Sequence, residues 1–407
     1  MPSDAPKTIE HLLICTGDPS AAHHAADLVK QILARHPHLR ITAVGNDELQ
    51  EAGATLLAHH DDIGMGGWGI TAALAGIWGH WQLAQKIKRF VCEQQVDRVL
   101  LMDYSGFHLK LARLLVGHCD LRYYIPPQLW ASRPQRMKSI QAFIRKVYTI
   151  FPFENAWYEQ AGVPYLFVGH PLTRNLPSPV AKSDFCTQYA LEVQKPLIGL
   201  FPGSRVGEVK RMLPIFANAL AQVQGLLDEK GPGVQIVMAQ APNLSTAFIE
   251  KAVKQAFAPF PQVKLTILMQ ANHAILSASD VILGASGTTS LEAALYGTPM
   301  VIAYQVDWIS ELVAKRIMTV PFIGLPNLLV APEQAPILPE RLQGDCTPEL
   351  LAKDVLTFLD PQSSASRQAT EGLAYVKQAL GEGASLDAFV EDLVSLEVFS
   401  VREITSP

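Results

Sequence analysis

Short β-branched and leucine-rich runs alternate with apolar positions at 3.6-residue spacing along most of the chain, the pattern of an α/β protein built on parallel sheets. Glu10–Thr16 predicts a strand and Ser20–His36 a helix; Arg40–Gly45, Arg98–Asp103, Leu121–Ile125, Tyr148–Phe151 and Tyr165–Val168 predict further strands. A long helical pattern covers Gly69–Gln95. At Pro171–Val180 three prolines break every periodicity, which predicts a linker. The alternation then restarts, with strands at Leu197–Phe201, Val234–Ala239, Val263–Leu268, Val281–Leu283 and Met300–Tyr304, and helices at Glu208–Leu227 and Leu244–Ala256. From Pro348 onward the pattern is helical. Two α/β halves joined by a proline-rich hinge predict a ligand cleft between them, lined by the turns that follow the strands.

Composition narrows the function classes. The chain has 407 residues, enough for two or three domains of ~150 residues, and 49% of them are hydrophobic, which excludes disorder. The net charge of −5 offers no basic field to nucleic acid. Only 17% of residues are charged, below the ~25% usual for soluble domains, which points to extensive burial or to a surface facing something apolar. The five cysteines are scattered, with no CxxC pair, as expected of a reducing compartment. No run reaches the ~20 apolar residues of a membrane span, and the N-terminus lacks the features of a signal peptide.

Five motifs carry candidate chemistry. Phe201–Glu208 (FPGSRVGE) follows a strand and opens a helix; Gly203 permits close backbone approach, and Ser204 and Arg205 suit a phosphate. Its bland reading is a tight turn with a solvated arginine. Gly284–Glu292 (GASGTTSLE) repeats the arrangement, with a nest of small residues at Ser286, Gly287, Thr288 and Thr289 and a carboxylate, Glu292, one turn in. Asp103 ends a buried strand, placed for general-base work or merely for helix capping. Arg133, Arg136 and Lys138 follow a Pro-Pro-Gln-Leu-Trp segment, as a site for a second anionic group or for lipid headgroups, or as a solvated helix start. Met65, Trp68, Trp78 and Trp81, with Lys86, Lys88 and Arg89 behind them, read either as core or as an interfacial helix dipping into a membrane.

In series these motifs resemble lipid-A-disaccharide synthase, a glycosyltransferase family of the GT-B fold, from about residue 10 to residue 360. The resemblance is carried by Gly17-Asp18-Pro19-Ser20, Asp103, Pro127–Ala131 with Arg133 and Arg136 in register, Phe151–Glu154, Val168–Pro171, Pro202–Glu208, Ser286–Glu292 and Leu325–Leu329. The family's G-E-x-S-G-D turn has Asp18 for the glutamate and Ala21-Ala22 for glycine-aspartate; its D-x-P-D-F-N reads Asp103-Tyr104-Ser105-Gly106-Phe107-His108, without the second aspartate.

What the resemblance implies is an inverting transfer from UDP-2,3-diacylglucosamine to 2,3-diacylglucosamine 1-phosphate, with Asp103 as base and neither cofactor nor metal. The donor site would comprise Gly203, Ser204, Arg205, Glu208, Ser286, Gly287, Thr288, Thr289, Glu292 and Asn327. Asp18, Ser20, Gln128, Arg133, Arg136 and His170 would line the acceptor side. Residues 1–175 would form an acceptor- and membrane-facing Rossmann-like domain and 176–365 a UDP-sugar domain, with 366–407 a helical tail packing back on the first. The protein would be cytoplasmic and peripheral on the inner membrane, with a second copy as candidate partner in a homodimer. Two other readings stay open: another UDP-N-acetylglucosamine-type transferase or 2-epimerase of the same fold, and a non-catalytic paralogue that binds nucleotide sugar or lipid.

Overall fold

Every strand pairing within the two sheets of this computed structural model is parallel. The structure describes residues 8–60, 70–231, 233–306, 320–330, 335–381 and 385–396. It divides into two units, Met1–Pro171 with Gly383–Pro407, and Leu172–Glu382.

The first unit holds seven strands: β1 His11–Cys15, β2 Arg40–Gly45, β3 Thr55–His59, β4 Arg98–Met102, β5 Asp120–Tyr124, β6 Lys146–Thr149 and β7 Tyr165–Phe167. Their order is β3-β2-β1-β4-β5-β6-β7. The second holds β8 Leu197–Phe201, β9 Gln235–Gln240, β10 Leu265–Met269, β11 Val281–Ala285, β12 Met300–Tyr304 and β13 Glu340–Leu342, in the order β10-β9-β8-β11-β12-β13. The central strands β1, β4, β5, β8 and β11 are buried at every position; β8 and β11, and β1 after His11, read as continuous apolar runs rather than alternating ones, while β4 and β5 also bury charges. Chain order reverses between β1 and β4 in one sheet and between β8 and β11 in the other. In open parallel sheets, ligands bind beyond the carboxyl ends of the strands at such reversals.

Three expectations need correction. The predicted linker is not wholly irregular, because Leu172–Asn175 closes one helical turn before the prolines take over. The edge strands β3 and β13 and the helix Asp47–Glu51 carry too little periodicity to announce themselves, and were not predicted. The helical tail does not act as one piece: helix Ser364–Gly381 belongs to the second unit, and Leu386–Val394 to the first.

That last helix explains charged residues in a buried strand. Asp120 accepts from Arg98 Nε at 2.7 Å and Arg122 Nε at 2.9 Å, all three side chains being buried. Asp392 on the returning helix accepts from Arg122, from Lys146 and, at 2.8 Å, from Tyr148 Oη. Phe389 packs on Tyr124 and Tyr148, 4.8 and 4.5 Å between ring centres. Buried charges persist only when partnered, and here the far end of the chain supplies part of the partnership.

Candidate active site

Asp103 and Tyr104 leave β4 in the left-handed backbone region, at φ 52° and 44°. Each such non-glycine residue costs about 1 kcal/mol or more, and persists only where its surroundings over-determine it. The carbonyl oxygen of Asp103 accepts from Tyr123 Oη at 2.5 Å and is 2.8 Å from His108 Nδ1, while its N–H donates to the Tyr124 carbonyl at 3.3 Å. Burial pushes the His108 pKa down to about 4, so the ring is neutral near pH 7; a carbonyl partner makes Nδ1 the protonated nitrogen. Tyr104 packs against Gly17 so closely that a Cβ there would lie 2.0 Å from the tyrosine Cβ. Its hydroxyl meets His80 Nε2 at 2.8 Å.

Solvent reaches Asp103, but the wall around its carboxyl group strips part of its hydration and raises its pKa. The Tyr104 N–H opposes that rise and the Asp18 carboxylate adds to it. Asp18 itself caps helix Pro19–Arg35, accepting from Ala21 N at 2.8 Å. Arg136 joins the same loop, donating to Ser105 Oγ at 2.6 Å. Ser20, Gln128 and Arg133 are exposed. His170 is buried against Phe151, with rings 5.2 Å apart, in a cluster whose centre is Glu154. That buried carboxyl accepts from Trp130 Nε1 at 3.0 Å and from the N–H groups of Ile150 and Phe151, both at 3.3 Å. Desolvation outweighs these donors and raises the Glu154 pKa to about 7. His170 is thus packed against the wall of this cluster. Ala22 is fully buried, so the position where the family pattern has aspartate is core here, while Gly106 faces open space.

In the second unit the loops after β8 and β11 carry the donor motifs. Gly203 takes φ 116°, and Glu208, on helix Val206–Lys230, folds back beneath it. Glu208 Oε2 accepts from the N–H groups of Ser204 and Arg205 at 3.1 and 3.2 Å. Its Oε1 accepts from the Arg205 guanidinium at 2.8 Å and from Tyr304 Oη at 3.1 Å. Glu208 thus shapes the loop, and Arg205, paired with it, keeps 72% of its side chain exposed. Gly287, at φ 152°, opens helix Thr288–Tyr296, with Ser286, Thr288 and Thr289 open to solvent in varying degree. Burial raises the Glu292 pKa, partly offset by His273. Asn327 is only 2% exposed; its amide bonds the Leu338 backbone in both directions and Glu340 Oε1 at 2.7 Å. These bonds tie helix Leu325–Val330 to the segment that enters β13.

Sequence reasoning missed Tyr104, His108 and Tyr123 as parts of the site. The one visible signal was His108 at the last position of the departed D-x-P-D-F-N pattern.

Residues 12–388 match the family model described as lipid-A-disaccharide synthetase. The chain belongs to this family. A lipid-A-disaccharide synthase of Geobacter sulfurreducens is 32% identical over 377 residues, covering 92% of this chain and 94% of that protein. Lipid-A-disaccharide synthase 1 of Legionella pneumophila is 34% identical over 392 residues, covering 95% and 97%. Among solved structures, a putative UDP-N-acetylglucosamine 2-epimerase from Listeria monocytogenes superposes with TM-score 0.60 at 12% identity, over 95% of this chain and 96% of that one. MurG of Acinetobacter baumannii gives 0.56 at 18%, over 94% and 98%. These likenesses establish the GT-B fold, and the family membership establishes a glycosyltransferase.

On helix Ile70–Glu93, Trp78 and Trp81 are 61% and 54% exposed and stack 5.3 Å apart. Met65 and Trp68 lie outside the described residues. Among the described residues no helix is long and apolar enough to cross a membrane.

Proposed function

We propose that the chain condenses UDP-2,3-diacylglucosamine with 2,3-diacylglucosamine 1-phosphate, giving a β-1′,6-linked disaccharide 1-phosphate and UDP. The observation that carries this reading is Asp103: a carboxylate of raised basicity, held in a left-handed turn beyond β4 where chain order reverses. The acceptor's 6-hydroxyl loses its proton to Asp103 and its oxygen attacks the anomeric carbon. The bond from that carbon to the UDP oxygen breaks, and the configuration inverts. The departing diphosphate is met by Arg205, by the Ser204 hydroxyl and by the Ser286–Thr289 turn at a helix N-terminus. Asp18 and Arg136 flank the base loop on the acceptor side.

Both substrates carry acyl chains, so the enzyme works at the cytoplasmic face of the inner membrane. The exposed Trp78–Trp81 stack, followed by Lys88 and Arg89, supports peripheral docking there. Burying two such side chains at ~1.5–3 kcal/mol each suffices for reversible attachment.

The test is turnover by purified protein, following UDP and the product mass with and without acceptor. Acceptor-dependent UDP release matched by disaccharide is the expected result. Release without acceptor would favour another reaction of the fold, and binding without release a non-catalytic role.

A further inference from the structure

We propose that His108 and Tyr123 are positioning residues for the transfer, holding Asp103 in its reactive geometry through two hydrogen bonds to its backbone carbonyl. The inference rests on Asp103 being the base. Helix Ser105–Leu115 begins with Tyr104 in the left-handed region, so its repeating backbone bonds start at the Tyr104 carbonyl, which accepts from His108 N at 3.1 Å. The preceding carbonyl, that of Asp103, lies outside the helical ladder and would stand unpaired at the end of a buried strand. Two buried side chains from different elements take it instead: Tyr123 on β5, and His108 from the first turn of the helix. One donor would satisfy the carbonyl; two, from different elements, fix its direction.

Fixing that carbonyl fixes the peptide plane between Asp103 and Tyr104, and with it the pair of left-handed residues. Relaxed to an ordinary extended or helical φ, Asp103 would turn its side chain away from Asp18 and into fuller hydration. Tyr104 would leave its seat against Gly17 and its bond to His80. The two donors therefore act on the carboxylate without touching it, and neither needs to meet substrate. His108 suits the task because burial keeps it neutral, so the Nδ1 proton stays on the carbonyl across the working pH range. The family pattern has asparagine at this position, and an asparagine amide can donate in the same direction.

Tyr123→Phe removes one hydroxyl and leaves the ring, so the fold survives. His108→Leu removes the other donor, and His108→Asn restores it. The expected result is a fall in kcat of about ten- to a hundred-fold for Tyr123→Phe and for His108→Leu, as for other displacements of ~1 Å. The KM for the nucleotide sugar should be unchanged, with most of the rate retained by His108→Asn. The acidic limb of the kcat profile should move to lower pH as Asp103 regains hydration. Neither substitution should slow the residual rate of Asp103→Asn any further. Wild-type kcat in folded Tyr123→Phe and His108→Leu, with Asp103→Asn inactive, would overturn the clamp and leave the base intact. A loss that persists in the Asp103→Asn background, with the pH limb unmoved, would show mere structural support and would also overturn it. Wild-type turnover by Asp103→Asn itself would remove the base and the clamp together.

Discussion

Glu208 and Arg205 show how the loop proposed to meet the donor's diphosphate is kept ready. The guanidinium is paired with Glu208 at 2.8 Å, but an exposed pair of this kind is worth no more than ~1 kcal/mol. In the proposed reaction a diphosphate would outcompete it at little cost, while the carboxylate remains engaged by two backbone N–H groups and Tyr304. Arg205→Ala should therefore weaken UDP binding roughly ten- to a hundred-fold, from a lost contact of ~1.5–3 kcal/mol, without lowering thermal stability. Calorimetry showing unchanged affinity would mean that the arginine serves only the surface. The motif located both residues in the sequence but not their division of labour. A pattern such as Pro-Gly-Ser-Arg-x-Gly-Glu places a turn before a helix, and says nothing of which way the glutamate's oxygens face. The same holds for Asn327, whose amide is consumed by the backbone of Leu338 and by Glu340.

At the scale of elements, Trp130 and Glu154 join two loops that the sequence presents as separate motifs. The joint is a buried carboxyl group, and its pH dependence follows. The Glu154 pKa rises from 4.5 in the unfolded chain to about 7 in the fold, so between these values the folded state holds a proton that the unfolded state has lost. Stability contributed by the protonated group is complete below pH 4.5 and is lost as pH climbs through about 7, an effect of up to ~3 kcal/mol. Glu154→Gln removes the titrating group, so it should flatten this slope. Parallel melting curves from pH 4 to 8 would contradict this. Central strands such as β8 and β11 were legible because burial on both faces makes them continuously apolar. The edge strand β3 was not, since Thr55–His59 is only half buried and ends in histidine. Arg98, Asp120 and Arg122 look unsuited to a buried sheet until Asp392 is in place, a partner 270 residues from Arg122 that no local pattern announces.

At the scale of the molecule, the chain's end returns to complete the unit that its beginning formed. Asp392→Ala should leave Arg122 and Lys146 short of a counter-charge and destabilise the first unit by a few kcal/mol, short of the ~3–5 of a fully buried pair because Asp392 is partly exposed. The UDP binding proposed for the second unit should be unaffected; a melting temperature equal to wild type would show that the cluster is neutralised without the helix. Both units share one design, a parallel sheet whose order reverses where the functional loops emerge, between β1 and β4 and between β8 and β11. The sequence conveyed that design through its strand-to-helix turns, but not the His108–Asp103–Tyr123 clamp, which exists only once β4 and β5 lie side by side. The claim on which the chemistry depends is that Asp103 takes the acceptor's proton. Turnover of Asp103→Asn, measured beside its UDP affinity, tests this most directly. A rate lowered ~10²–10⁴-fold with UDP binding unchanged is the predicted result; a rate within about tenfold of wild type would assign Asp103 to the turn alone and leave the proton to another group.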